Sequence, residues 1–107
     1  MAAQARQRAA GGYFVNPGEV WRLPDDSQRV VLSNATYNES RLDQVITAHI
    51  GPPSTTFQPF AVPTSVGTIY VDRMMMHPRH WLSEYVATID QPELNALRRH
   101  LSFLLCE

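Results

Sequence analysis

Two strand-like runs close together near the start of the chain restrict its fold more than any other feature. Glu19 to Leu23 alternates apolar and polar residues, and Arg29 to Ser33 carries the aliphatic run Val30-Val31-Leu32. Only Pro24-Asp25-Asp26-Ser27-Gln28, all polar or turn-forming, separates them. The pattern recurs downstream. Leu42 to Ile50 alternates from Gln44 onward and reads as a third strand. Pro52-Pro53 makes Gly51 to Thr56 a loop, because consecutive prolines exclude both helix and central strand. Gln58 to Val62 is a short strand that Pro59 places at a sheet edge, and Glu84 to Ile89 is the last strand. Thr68 to Met75 is a strong strand. Plain alternation puts Ile69, Val71 and Arg73 on one face and Tyr70, Asp72 and Met74 on the other. Ala35 to Arg41 and His77 to Leu82 are each a loop or a single helical turn. Tyr13-Phe14-Val15 adds a short strand or lies against the barrel.

One helix closes the chain. Asp90 with Glu93 three residues later forms a capping-box pattern, and Pro92 falls in the first turn, where its missing N–H costs nothing. Leu94, Leu97, Leu101 and Leu104 then recur at helical spacing. Short strands followed by one terminal helix give an α+β class and a small barrel. Residues 1–12, ending in Gly11-Gly12, read as a flexible tail, and residues 13–107 as the barrel domain.

A chain of 107 residues is one domain. Its net charge of −1 gives no bulk attraction to nucleic acid, but all nine basic residues are Arg, which suits bidentate phosphate contact better than Lys. Arginine-only usage also follows from codon bias in a GC-rich genome. The single cysteine, Cys106, forms no internal disulfide and fits a reducing cytoplasm. No apolar run approaches the roughly 18–20 residues of a membrane span.

Gly18-Glu19-Val20-Trp21, the Val30-Val31-Leu32-Ser33-Asn34 strand, the Thr68–Arg73 strand leading into a turn, and the Asp90-capped leucine helix occur in that order. Together they resemble the MazF/PemK toxins of toxin–antitoxin modules over residues 17–106. The resemblance implies an SH3-like barrel of the MazF/CcdB/PemK type, a homodimer, a cognate antitoxin as partner, and cleavage of single-stranded RNA without metal or other cofactor. It places the family's Arg at position 27, seven residues before Asn34, and its Thr at position 51. Ser27 and Gly51 stand there in this chain.

Strand geometry suggests where the chemistry has moved. Arg29 shares a face with position 27 and His49 with position 51, each one pleat (about 6.6–6.8 Å) away. If the two strands run antiparallel, both displacements point the same way, and Arg29 and His49 stay together. Asp72 is the third candidate, since some PemK-type members use an Asp in the strand before the turn as an acid–base group. RNA cleavage through a 2′,3′-cyclic phosphate needs a proton acceptor for the 2′-OH, positive charge for the phosphorane and a donor for the leaving 5′-oxygen. Arg29 supplies charge, while His49 or Asp72 moves protons. The bland alternatives are a solvated strand Arg, a packing His and an Asp72–Arg73 surface pair. His77, Arg79, His80 and Trp81 form a basic and aromatic cluster able to stack a base and meet a phosphate, unless Trp81 only covers the barrel end. Arg22, Asn34 and Arg73 complete the candidate RNA contacts. Met74-Met75-Met76 divides between core and a partner face. His77 and His80 lack metal-ligand spacing because Pro78 breaks any helical pairing.

Three functions remain open on this fold: a cleaving toxin, a non-cleaving RNA- or partner-binding relative, and a gyrase poison like CcdB. The last should anchor gyrase through an exposed terminal Trp, and the chain ends in Glu107 with no such aromatic.

Overall fold

The computed structural model describes residues 15–53 and 58–106. The expected tail and the Tyr13-Phe14 part of the expected first run lie outside those residues. The elements are β1 (Glu19–Arg22), β2 (Gln28–Val31), α1 (Ala35–Asn38), β3 (Gln44–Gly51), β4 (Ala61–Thr64), β5 (Gly67–Pro78), β6 (Glu84–Thr88) and α2 (Gln91–Cys106), with a 3-10 turn at Arg79–Trp81. The strands form one antiparallel sheet in the order β4-β5-β3-β2-β1-β6, curled into a half-barrel with α2 against it. The class is α+β. β4 takes the edge, as its prolines require: it starts after Pro59 and carries Pro63 exposed.

The capping box forms as the spacing predicts. Asp90 Oδ1 accepts from the Glu93 amide at 2.9 Å, and Glu93 Oε1 accepts from the Asp90 amide at 3.3 Å. The leucine stripe of α2 packs on the concave side of the sheet. Leu97 is fully buried with Val20, Val30, Ala48, Ile50, Val62, Ile69, Val71 and Ile89, while Leu94, Leu101 and Leu104 pack at the margin. At the entry to β1, Gly18 adopts φ +89, a conformation that L side chains rarely adopt, so the backbone favours glycine there; a Cβ would make ordinary contact with Ile89 and Leu94 at 3.4–3.7 Å.

The opposite face carries a second core of Val15, Trp21, Leu23, Val31, Val45 and Leu82, flanked by Tyr85. Trp21 is wholly buried there, its indole N–H donating to Glu19 Oε1 at 3.1 Å. Beside this second core the sheet departs from the alternation expected for β5. Its register against β3 shifts between Met74 (opposite Ala48) and Tyr70 (opposite His49), so Val71, Asp72 and Arg73 have no partner on β3. A bulge lets a strand bend and turns its side chains off the simple alternation. Val71 stays in the helix-side core, but the Arg73 guanidinium lies over the Tyr70 ring at 4.5 Å. The sequence expectation that Arg73 shares a face with Val71 is thus corrected by the bulge. β5 also runs through His77 and Pro78, where the sequence suggested a turn.

Candidate active site

The strand register builds a continuous cross-strand row on the face away from α2. Trp21 is opposite Arg29, Arg29 opposite His49, and His49 opposite Tyr70. Directly opposite residues share a face, so Arg29 and His49 meet as the alternation argument expected. β2 pairs without a shift with β1 through Gln28, Arg29 and Val30 and with β3 through Arg29, Val30 and Val31.

Arg29 is held rigidly. Its Nε donates to Thr47 Oγ1 at 2.6 Å, and Nη2 donates to the Thr47 carbonyl at 3.1 Å and the Arg73 carbonyl at 2.9 Å. The β5 bulge removes Arg73 from the β3 ladder, and its carbonyl serves Arg29 instead. Nη1 has no partner among the described residues, which leaves two N–H groups of a fixed guanidinium for an anion. Burial lowers the Arg29 pKa and Asp25 opposes that shift, yet a guanidinium keeps its charge throughout the working range. Arg29 also lines a hollow of about 510 Å³ with Leu23, Pro24, Asp25, Ser27, Met75 and Trp81.

His49 is half-buried and stacks on Tyr70, ring centroids 5.8 Å apart, while the Tyr70 hydroxyl donates to the Pro52 carbonyl at 2.5 Å. A Cβ built on Gly51 would lie 2.9 Å from His49 Nε2. The imidazole therefore occupies the space a side chain at position 51 would need. Burial pushes the His49 pKa below its ordinary value, and the Arg29 and Arg73 cations push the same way. A neutral imidazole beside a fixed cation can accept a proton while the cation holds an anion.

The fold that carries these residues has counterparts among solved structures. The chain superposes on an endoribonuclease in complex with its cognate antitoxin from a mycobacterial species, with TM-score 0.76, 17% identity, and coverage of 86% of this chain and 95% of that one. It superposes equally on MazE–MazF from Deinococcus radiodurans, with TM-score 0.75, 21% identity, and coverage of 89% and 99%. The chain has the MazF fold. MazF crystallised alone from the same organism gives TM-score 0.73 at 21% identity over 89% of this chain and 99% of that one. No protein-family model and no curated protein matches the sequence.

On this MazF fold the other candidates part company. Asp72 lies exposed in the bulge with no hydrogen bond or ion pair among the described residues, and Arg73 is the bulge residue that reaches Tyr70 and His49. Arg22 follows Trp21 on the strand and is tied to Glu84 at 2.8 Å, so the fold does not bring it to Arg29. Asn34 caps α1, its Oδ1 accepting from the Tyr37 amide at 2.9 Å. Arg79 pins the α1 loop, reaching Asp43 at 3.1 Å, Glu39 at 3.7 Å and the Asn38 carbonyl at 3.2 Å. His80 is exposed, and Trp81, 41% exposed, stacks on the buried His77 ring at 5.5 Å and 11°. Ser27 is a turn residue whose hydroxyl donates to Asp25 Oδ1 at 2.6 Å. Among the described residues no three His, Cys, Asp or Glu side chains gather as a metal site.

Sequence reasoning missed Thr47, and it grouped His77 with Arg79, His80 and Trp81 rather than with Arg29 and Thr47. Thr47 stands two residues before His49, so alternation alone would have placed it on the same face. His77 carried no such signal, because its approach to Thr47 across 30 residues depends on the register of β5.

Proposed function

We propose that this chain is a MazF/PemK-family toxin of a type II toxin–antitoxin module, a single-strand-specific endoribonuclease that works in the cytoplasm without metal. Its partners are single-stranded RNA, a cognate antitoxin and a second copy of itself. The observation that carries the proposal is the His49 imidazole in the side-chain space of Gly51, directly across from the fixed Arg29 guanidinium. The two groups expected at positions 27 and 51 are each replaced one pleat along, by residues able to do the same chemistry.

In this reading neutral His49 takes the 2′-OH proton as the 2′-oxygen attacks phosphorus. The bond from phosphorus to the 5′-oxygen breaks, leaving a 2′,3′-cyclic phosphate. Solvent protonates the departing 5′-oxygen. Arg29 Nη1, with Arg73 beside it, meets the negative charge that builds on the phosphorane oxygens. Trp81 and Met75, around the adjoining hollow, offer apolar surface to a neighbouring base. Asp72, exposed to solvent, is the group proposed to carry the solvent proton to the leaving 5′-oxygen. No helix among the described residues is long and apolar enough to cross a membrane, which fits the proposed location.

A non-cleaving, partner-binding reading draws on the same residues: the Thr47 hydroxyl is buried and the Ser27 hydroxyl is engaged. Incubating the purified protein with mixed single-stranded RNA in EDTA decides between them. Cleavage to cyclic-phosphate ends, lost in Arg29→Ala and His49→Ala, supports the nuclease. Intact RNA with wild-type protein, or undiminished cleavage by Arg29→Ala, overturns it.

A further inference from the structure

Beneath the proposed site a buried relay runs from Arg29 to the far end of β5. Thr47 Oγ1 lies 2.6 Å from Arg29 Nε and 3.1 Å from His77 Nε2, and His77 Nδ1 lies 2.9 Å from the Pro78 carbonyl. Thr47 and His77 are 0% and 2% exposed, so water does not substitute for these bonds. The hydrogen positions follow from the chemistry of the ends. A guanidinium N–H only donates and a carbonyl only accepts. Thr47 Oγ1 therefore accepts from Arg29, and His77 Nδ1 carries a proton for Pro78. In the neutral ring Nε2 is then bare and takes the Thr47 hydroxyl hydrogen. Each link of the relay has one donor and one acceptor, and all run in one direction.

We propose that His77, acting through Thr47, is a positioning residue that fixes the orientation of the Arg29 guanidinium. The role in catalysis rests on the nuclease reading above; the relay itself does not. Removing the acceptor at 77 frees the Thr47 hydroxyl to rotate and give its hydrogen elsewhere. Adding a proton to Nε2 turns it into a second donor to Thr47 Oγ1, leaves the buried Thr47 hydroxyl hydrogen without its acceptor and puts a second cation near Arg29. Burial already holds the His77 pKa down, the Pro78 carbonyl opposes this, and Arg29 adds to it. The groups around the ring are Thr47 and Val45 from β3, the Arg29 cation from β2, and Trp81 from the 3-10 turn; the Arg79 cation is turned to Glu39 and Asp43.

The test uses the full chain and reads the Arg29 Nε–H signal by proton–nitrogen NMR, assigned from its absence in Arg29→Lys. In wild-type protein the signal should be sharp and slow to exchange at neutral pH, and should change as His77 takes up a proton on acidification. Thr47→Val and His77→Phe should speed its exchange by at least ~10-fold. The second keeps a ring for Trp81 to stack on, so loss of the signal reports the lost acceptor. Thr47→Ser and His77→Gln, which retain a hydroxyl and an acceptor, should restore much of the protection. With RNA, kcat should fall ~10–100-fold in Thr47→Val while KM changes by less than ~3-fold, because a displaced cation harms the transition state more than ground-state binding. If Arg29 Nε–H exchanges equally slowly in folded Thr47→Val or His77→Phe protein, the relay is overturned. A relay signature in wild-type protein that cuts no RNA overturns the nuclease reading and leaves the relay standing.

Discussion

At the residue scale, the site turns on one imidazole between two arginines. His49 and His77 both have pKa values below the ordinary His value of 6.5, chiefly through burial, with Arg29 pushing both the same way. A depressed histidine pKa means the folded state prefers the neutral ring. The contribution to stability is therefore complete above about pH 6.5 and is lost as pH falls through the folded-state values. Thermal unfolding followed from pH 8 to 5 should show Tm falling toward acid, more steeply in wild-type than in a His49→Ala, His77→Gln double variant. Under the proposed mechanism neutral His49 takes the 2′-OH proton, so cleavage should lose activity on the acid side at a pH below 6.5, as a pH–rate profile will show. Arg29→Ala should move the His49 titration upward in an NMR pH series by removing one of its two cations. The same substitution should cut activity at least ~10²-fold, as expected when transition-state charge loses its fixed donor. An unmoved titration would mean that Arg29 does not act on His49.

At the element scale, the terminal helix and the β5 bulge have different jobs. The helix supplies stability. Leu97→Ala removes a fully buried side chain from the concave core and should cost ~2–5 kcal/mol in chemical denaturation, close to unfolding a domain this small. Asp90→Ala loses the cap on the Glu93 amide and should cost ~1 kcal/mol. The bulge supplies geometry: it brings Arg73 over Tyr70 and frees the carbonyl that anchors Arg29. Deleting Asp72 would restore alternation across part of the bulge. That deletion should impair cleavage far more than it lowers Tm, since none of its contacts are in either core.

At the scale of the whole molecule, several large apolar side chains are left uncovered. Met76, Phe103 and Leu105 are 60%, 64% and 65% exposed; Leu105 lines a small hollow of about 160 Å³ with Leu32, Ile46, Met74 and Leu101, while Phe103 lies by Phe60 and lines another. Large apolar side chains left in water along a helix and a methionine run are candidates for an interaction surface. They fit the proposed homodimer, in which the methionine run and the C-terminal helix are buried. Sedimentation at micromolar concentration should show a dimer, and Phe103→Glu should shift it toward monomer. A wild-type monomer would reject the dimer. The proposed antitoxin should occupy the face that carries Arg29 and His49, so its binding should protect RNA from cleavage in competition with substrate.

Much of this protein was determined by local sequence. The capped leucine helix, the two-strand opening and the edge position of β4 follow from periodicity, proline chemistry and strand alternation. These are rules that act within about ten residues of chain. The tertiary structure decided the rest. A bulge has no residue signature, so the side to which Arg73 turned, and the carbonyl it gave to Arg29, depended on how β5 pairs with β3. Arg22, Asn34 and Arg79 were plausible RNA contacts by charge and polarity. Packing gave them to Glu84, to the start of α1 and to the acidic residues of its loop. Thr47 and His77 became a relay because the register between two strands set one hydroxyl between a guanidinium and a ring, and register is a property of the assembled sheet.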